Sequence, residues 1–143
     1  MQKIITHLWF DREAREAAAF YTGIFGDSRV AGIVNLDGTP SGEVDIVGIE
    51  LAGREFQLLS GGPYFRFTPA ISFLVTCSSV DEVDRYWAKL HTGGKDLMPL
   101  DEYPFSQRYG WTEDRYGLSW QVMYTQEYGA STRIVPTMMF TGA

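Results

Sequence analysis

The chain has 143 residues, about the size of one ordinary domain, and 45% of them are hydrophobic, which is enough for a substantial core. Its formal net charge is −6 and it has no cluster of Lys and Arg, which argues against nucleic acid and anionic membranes as partners. No stretch resembles a signal peptide or a membrane-spanning apolar segment, so we expect a cytoplasmic protein. The single cysteine, Cys77, cannot form an intramolecular disulfide and is expected to fill the core. Two histidines and one cysteine exclude a zinc site of the Cys/His type.

The first half of the chain predicts the order β-α-β-β-β. Good helix formers follow Asp11, which we interpret as an N-cap, and the predicted helix over residues 12–25 ends at Gly26 as a left-handed cap. The apolar stripe of this helix comprises Ala17, Phe20, Tyr21 and Ile24. Strands are predicted over residues 3–10, 28–35, 44–51 and 54–60, with turn residues at 36–42.

The second half repeats this order after an aromatic connector, residues 61–69, that we expect to pack against the protein. Ser79 and Glu82 have the spacing of a capping box. The helix that follows has an apolar stripe displaced by 66 positions from the first one, at Val83, Tyr86, Trp87 and Leu90. Strands are predicted over residues 70–77, 97–103, 107–113 and 118–124.

A glutamine occupies the same place in both halves. Residues 53–59 and 117–123, which are 64 positions apart, both read Gly, two variable residues, an aromatic residue, Gln and two aliphatic residues. Burying an amide without a partner costs about 1–3 kcal/mol, so each glutamine needs hydrogen-bond partners or a wet pocket. We expect Gln57 and Gln121 to face one shared cleft; amides that hydrogen-bond across neighbouring strands are the alternative.

The tail contains a third copy of a strand-like pattern. Residues 133–140 resemble residues 3–10, with a basic residue, two aliphatic residues, two small or polar residues, two large apolar residues and Phe. This segment is either the start of a further module, as in a tandem array, or an ordinary C-terminal strand. An unpaired apolar edge strand invites a partner, so we expect a homodimer.

The duplicated β-α-β-β-β order, the Phe-Tyr late in the first helix and an Asp-x-x-Gly before the last strand resemble the vicinal-oxygen-chelate superfamily. This superfamily includes glyoxalases, bleomycin-resistance proteins and extradiol dioxygenases, and the chain is most similar to its PhnB-like branch, often labelled 3-demethylubiquinone methyltransferase-like. The resemblance is carried by residues 8–11, 16–17, 20–21, 24–25, 61–63, 67–73, 108–111 and 116–122.

This resemblance implies an α+β fold. Two βαβββ modules, residues 1–62 and 68–124, would form a curved eight-stranded sheet around a cleft, with the helices on its outer face. Residues 125–143 would be a linker and a strand resembling the start of a further module.

The resemblance also implies where a metal would bind. Metal-using members place His or Glu on the first and last strands of each module. Those positions match His7 or Thr6 and Gln57 in module one, and Ser72 or Ala70 and Gln121 in module two. A set without carboxylates would hold nickel, zinc or iron poorly, so we expect no metal cofactor.

Arg108 and Trp111 complete the candidate ligand-binding cleft. They lie with Tyr109 on a hairpin strand, and all three residues could hold an anionic or aromatic ligand by charge and stacking. Packing of the hairpin against its neighbour is the alternative. His7 is either a ligand contact or an ordinary surface histidine, and no Ser/His/Asp constellation can be assembled.

The leading hypothesis is a PhnB-like protein whose cleft binds a small, flat or polyoxygenated molecule without metal. The enzymatic alternative is a lyase, isomerase or dioxygenase in which Gln57, Gln121 and His7 hold a divalent ion as a Lewis acid. A dimerisation module is the structural alternative. We do not expect methyl transfer, because the chain lacks a G-x-G motif that opens a helix after a parallel strand.

Overall fold

The computed structural model describes residues 4–142 and contains, over that range, nine strands and two helices. The chain divides into two compact units, Met1–Arg66 and Phe67–Ala143. Each unit contains one βαβββ module, which confirms the predicted α+β class; the placement of both modules around one cleft stays a prediction. The elements are β1 (Thr6–Phe10), α1 (Ala14–Thr22), β2 (Arg29–Thr39), β3 (Gly42–Leu51), β4 (Arg54–Ser60), β5 (Ile71–Cys77), α2 (Val80–Leu90), β6 (Lys95–Tyr103), β7 (Ser106–Glu113), β8 (Ser119–Tyr124) and β9 (Arg133–Met138).

The sheet of the first unit, sheet A, has the strand order β1-β4-β3-β2, with β1 parallel to β4 and the other pairs antiparallel. Helix α1 contacts β2, β3 and β4. Side chains that alternate along these strands, such as Val47, Ile49, Phe56 and Leu58, are buried on the helix side. We call the opposite face of this sheet, which includes His7 and Gln57, the far face of sheet A.

The sheet of the second unit, sheet B, has the order β6-β7-β8-β5-β9. Helix α2 contacts β5, β7 and β8. We call the opposite face of this sheet, which includes Gln121 and Trp111, the far face of sheet B. The predicted stripe of α2 is confirmed, because Val83, Tyr86, Trp87 and Leu90 are all buried. The predicted N-cap is confirmed as well, since the Ser79 hydroxyl accepts the Glu82 amide at 3.2 Å.

The tail forms the fifth strand of sheet B. Strand β9 pairs antiparallel with β5, from Ile71 opposite Met138 to Thr76 opposite Arg133. Pro136 lies on this edge strand, where it cannot donate a hydrogen bond to a further strand. The tail strand is therefore paired within its own unit.

Helix α1 is shorter than the sequence predicts, and neither predicted cap is used. It spans nine residues, with Glu13 at the N-cap position and Gly23 at the C-cap position. Ser60, at the end of β4, accepts a hydrogen bond from the Ala14 amide at 3.1 Å, so a residue far along the chain satisfies the first turn. The positive φ after the helix belongs to Asp27, at 52°, and not to Gly26.

Strand β2 is longer than predicted. The segment expected to be a turn continues as strand to Thr39, and β3 begins at Gly42, which has a φ of 83°. The Thr39 hydroxyl closes this hairpin by donating to the Gly42 carbonyl at 2.6 Å. Residues of turn-forming type therefore lie within β2, because pairing with β3 holds this segment in an extended conformation.

Cys77 is buried, with 1% of its surface exposed, and burial raises its pKa to about 12. This environment suits a residue that fills the core and disfavours a thiolate nucleophile. Across residues 4–142, no helix is long and apolar enough to cross a membrane. The cytoplasmic location stays a prediction.

Candidate functional site

One row of residues crosses the far face of sheet A. In the pairing register, His7 of β1 lies opposite Gln57 of β4, Gln57 lies opposite Gly48 of β3, and Gly48 lies opposite Gly32 of β2. The predicted site residues His7 and Gln57 are thus brought side by side on adjacent strands. We call this set of four residues the glycine row.

The two polar side chains of the glycine row have no hydrogen-bond partner within the described part of the chain. Neither the His7 imidazole nor the Gln57 amide makes a hydrogen bond to any of residues 4–142. The Gln57 side chain leans over β3, since a Cβ built at Gly48 would lie 3.4 Å from Nε2 and 3.6 Å from Oε1. Because Gln57 is half-buried and His7 is exposed, both groups are available to a ligand.

An apolar row lies on one side of the glycine row. Trp9, Leu59, Ile46 and Val34 follow each other across the four strands. The Trp9 indole donates to the Gly62 carbonyl at 2.9 Å and packs edge-on against Phe65 at 5.0 Å. The connector therefore contacts β1 through Phe65, but the side chains of Phe65 and Tyr64 are 65% and 66% exposed. On the other side lies a charged row in which Arg29 binds Glu50 through two contacts of 3.1 Å.

The equivalent row of sheet B is filled by large side chains. Leu74 of β5 lies opposite Gln121, Gln121 lies opposite Trp111, and Trp111 lies opposite Met98. Gln121 thus occupies the position of Gln57, as the sequence repeat predicts. The register equivalent of His7 is Leu74, and not Ser72 or Ala70 as expected.

The amide of Gln121 is fully engaged. Its oxygen accepts the Tyr109 hydroxyl at 2.5 Å, and its nitrogen donates to Ser72 at 2.7 Å and to Thr137 at 3.2 Å. Ser72 is buried, and Thr137 comes from the tail strand β9. Burial, with a smaller contribution from Tyr103, raises the pKa of Tyr109 to about 12, so this phenol stays a donor. Gln121 is therefore an amide that hydrogen-bonds across neighbouring strands, as the alternative hypothesis has it. The amide of Gln57, in contrast, is available.

Trp111 and Arg108 lie on opposite faces of sheet B. The Trp111 indole donates to the Ser119 hydroxyl at 2.6 Å on the far face, beside Gln121. Arg108 has the same parity along β7 as Gly110, which lies against Trp87 of α2, and it pairs with Asp84 of that helix at 2.7 Å. The structure therefore does not bring Arg108 to the face that carries the other predicted residues.

Three residues near these rows were not among the predicted site residues: Gly32, Gly48 and Thr137. The glycines lack any local motif, and only strand register places them beside Gln57. Tyr109 was predicted, with Arg108 and Trp111, to hold a ligand, and not to donate to Gln121 as it does here. Thr137 could not be assigned because its strand pairs with β5, which the sequence pattern did not predict.

A separate polar cleft of about 410 Å³ lies in the first unit, beyond the end of β1. Its lining includes Asp11, Arg12, Glu43, Asp45 and Tyr64, and none of the six predicted site residues. Asp45 accepts two hydrogen bonds from Arg15 and one from Asn35, which lower its pKa to about 2.

The donor set does not fit a divalent metal ion. The described residues contain no group of three or more His, Cys, Asp or Glu side chains placed to hold one. Gln121 would ligate a metal through its carbonyl oxygen, but that oxygen already accepts the Tyr109 hydroxyl. His7 and Gln57 alone would give an incomplete set of neutral ligands.

The fold is that of the glyoxalase and bleomycin-resistance proteins. A glyoxalase/bleomycin-resistance/dioxygenase domain from Frankia shares this fold, with 20% identity over 90% of this chain and 95% of its own, and a TM-score of 0.55. Protein PA1353 from Pseudomonas aeruginosa has a TM-score of 0.76, with 20% identity over 89% of this chain and 100% of its own.

A relative of higher identity and a family model identify the family to which the chain belongs. The PhnB protein from Bacillus cereus is 39% identical over 87% of this chain and 100% of its own, with a TM-score of 0.80. Residues 2–123 match a family model described as 3-demethylubiquinone-9 3-methyltransferase, and the chain belongs to this PhnB-like family. None of the curated proteins compared with the sequence matches it.

Proposed function

We propose that the chain binds a small polar molecule on the far face of sheet A, through Gln57 and His7, and does not transfer methyl groups. The observation that carries this proposal is the Gln57 amide, which has no hydrogen-bond partner among residues 4–142. Its counterpart Gln121, at the same place in the duplicated module, is satisfied by three hydroxyl groups.

The chemistry of the far face indicates what the ligand must offer. A primary amide both donates and accepts, and a neutral imidazole does the same, so vicinal oxygen atoms on one ligand can pair with both. The apolar row beside them, with Trp9, Leu59 and Ile46, provides a surface for the hydrocarbon part of that ligand. Apolar walls with a few placed polar groups are typical of small-molecule sites.

The connections that follow the parallel strands argue against methyl transfer despite the family description. Sites for S-adenosylmethionine usually use a glycine-rich turn between a parallel strand and the next helix. In this chain the turns between a parallel strand and the next helix are residues 11–13, which read Asp-Arg-Glu, and residues 78–79, which read Ser-Ser. Neither contains a glycine that would let a nucleoside approach the backbone.

The test is an NMR titration of the Gln57 side-chain amide with small diols and triols, including catechol, pyrogallol and cis-1,2-cyclohexanediol. We expect saturable shifts of the Gln57 resonances in the wild type and, followed in both proteins through the backbone amides of β4, a loss of affinity of about tenfold or more in Gln57→Leu. A companion titration with S-adenosylmethionine should produce no saturable shift.

The matched control is Gln126→Leu, which makes the same chemical change in an exposed segment. This variant should bind the diols as the wild-type protein does. The proposal is wrong if no compound of the set shifts Gln57, if Gln57→Leu binds unchanged, or if S-adenosylmethionine binds and methylates an added phenol.

A further inference from the structure

The hairpin that joins β2 to β3 contains an aspartate followed directly by a glycine, Asp37-Gly38. Among the aspartates of the chain, only Asp37 has this neighbour. We propose that Asp37 is a site of spontaneous isomerisation, at which the carboxyl group cyclises onto the Gly38 nitrogen and the main chain is then rerouted through the Asp37 Cβ. This modification site does not depend on the proposed function.

The structure holds the two reacting groups in contact. The Gly38 amide donates to Asp37 Oδ1 at 2.8 Å, so the nitrogen that attacks already lies beside the carboxyl carbon. A reaction between groups that are held in contact is favoured over one that must first bring them together. Both residues are exposed, so water can leave and enter at this position.

The backbone around Asp37 leaves room for the ring to close. Gly38 has a φ of 71°, and a Cβ there would have no atom within 4 Å. Glycine also places no side chain beside the attacking nitrogen. The register of the hairpin shifts between Leu36 and Thr39, and within the described hairpin neither Asp37 nor Gly38 has a Cα partner on β3. Ring closure therefore disrupts no regular pair of the ladder.

Asp101 provides a comparison within the same chain. The Glu102 amide donates to Asp101 Oδ1, also at 2.8 Å, and both residues are exposed. Asp101, however, has a Cα partner on β7, Tyr109, and Glu102 carries a side chain that crowds the attacking nitrogen. We therefore expect the reaction at Asp37 and not at Asp101, although the two carboxylates accept the same hydrogen bond.

The reaction is a net isomerisation that consumes nothing, because one water molecule leaves and one returns. The Gly38 nitrogen forms a bond to Asp37 Cγ, and the hydroxyl of the protonated carboxyl group leaves as water with the amide proton. Water then opens the cyclic imide. Attack at Cγ restores aspartate, whereas attack at the main-chain carbonyl carbon breaks its bond to the Gly38 nitrogen and frees an α-carboxylate. The second product, isoaspartate, has one more carbon in its main chain.

The test is incubation of the folded full chain at neutral pH in water enriched in heavy oxygen. The protein is then transferred to ordinary water, digested, and its peptides are fragmented in a mass spectrometer. Each passage through the imide leaves one heavy oxygen atom on the residue concerned, and fragmentation distinguishes isoaspartate from aspartate. We expect label and isoaspartate to accumulate at least about tenfold faster at Asp37 than at Asp101.

Two matched substitutions test the ring closure. Asp37→Glu keeps an exposed carboxylate but lengthens the side chain, so that a larger and less favourable ring would have to form. Labelling at position 37 should fall by about tenfold or more in this variant. Asp101→Glu makes the same change at the comparison site and should leave the labelling of Asp37 unchanged.

The unfolded chain separates the contribution of the hairpin from that of the sequence. Because the hairpin holds the two groups in contact, the folded chain should be labelled at Asp37 at a rate within about tenfold of that in concentrated urea. The proposal is wrong if only the unfolded chain is labelled at Asp37, if Asp37→Glu is labelled as fast as the wild type, or if Asp101 is labelled as fast as Asp37.

Discussion

Gln121 joins three strands through hydroxyl groups on the far face of sheet B. Tyr109 of β7, Ser72 of β5 and Thr137 of β9 all contact its amide. Gln57 sits at the matching place in the first module but has glycine at its side where Gln121 has Trp111. The neighbours across the strands, and not the glutamine itself, decide whether the amide holds the sheet together or is available to a ligand.

The sequence repeat located both glutamines correctly but could not distinguish them. Their difference depends on strand register and on β9, which are long-range features without a local signature. The face on which Arg108 lies could not be predicted for the same reason. Its contact with Asp84 places it on the helix side of β7.

Replacing Tyr109 by Phe tests the Gln121 network. The change removes the hydroxyl that donates to Gln121 and leaves a half-buried acceptor unpaired, so we expect a loss of about 1 kcal/mol in the free energy of unfolding at pH 7. Urea denaturation monitored by circular dichroism would measure this loss.

The same variant should behave differently in alkali. The pKa of Tyr109 is raised to about 12 in the folded protein and lies near 10 in an unfolded chain, so folding favours the protonated phenol. Its contribution is present below pH 10 and is lost as the pH rises from 10 to 12. Wild-type protein should therefore lose more stability over this range than Tyr109→Phe. Tyr64→Phe, a change at an exposed tyrosine, should follow the wild type, and a parallel decline of all three proteins would contradict the expectation.

The two helices differ in how their first turns are satisfied. Helix α2 carries its own cap, Ser79, and the sequence therefore predicted its start and its buried stripe. Helix α1 has no side-chain cap from its own N-cap residue and uses Ser60 of β4 instead. A hydrogen-bond partner 46 positions away is invisible to local patterns, so the predicted start at Asp11 was wrong.

Asp45 connects three elements of the first unit, and its substitution tests that link. It lies on β3 and binds Arg15 of α1 and Asn35 of β2. The hydrogen bonds from Arg15, and then from Asn35, lower its pKa from 3.8 to about 2, so the ionised form stabilises the fold above pH 4 and this contribution is lost between pH 4 and pH 2. Because the Arg15 side chain is 57% exposed and solvent weakens the pair, Asp45→Asn should lower the melting temperature at pH 7 by only about 1–3 °C.

The difference between Asp45→Asn and wild type should disappear as the pH approaches 2. Asp37→Asn changes an exposed carboxylate on β2 and is the control, expected to match the wild type at both pH values. A difference for Asp45→Asn that stayed constant from pH 7 to pH 2 would mean that the carboxylate charge is not what stabilises the link.

At the scale of the whole molecule, the duplication made most of the architecture predictable. Helix stripes and strand patterns at nearly constant offsets predicted both βαβββ modules, and β4 was predicted with its observed bounds. A strand was predicted in the tail, over residues 133–140, but its pairing was not, because its pattern resembles that of β1, whereas β9 pairs antiparallel with β5 and β1 pairs parallel with β4. A strand pattern specifies an extended segment but not its partner.

The homodimer also stays a prediction. The structure changes which surface we expect to form the contact between the two copies. Because the tail strand is paired, the exposed apolar side chains of β2 are the better candidates, namely Val30, Ile33, Val34 and Leu36. If they mediate association, the melting temperature should rise with protein concentration, and Ile33→Lys should remove that dependence without unfolding the protein.

A matched control for this test is Ile71→Lys, which places the same charge at an isoleucine exposed to the same degree, 50% against 48%. Its melting temperature should keep the wild-type concentration dependence. A wild-type melting temperature that is constant over a hundredfold range of concentration would contradict the homodimer.

The cap that Ser60 provides has a consequence for the order of folding. The Glu82 amide bonds to Ser79 only three positions away, so the first turn of α2 can close early, but the Ala14 amide must wait until β4 has docked. We therefore expect the second module to gain protection against hydrogen exchange before the first during refolding. The duplicated halves of this chain, nearly alike in their final architecture, would then differ in the sequence of events that produces it.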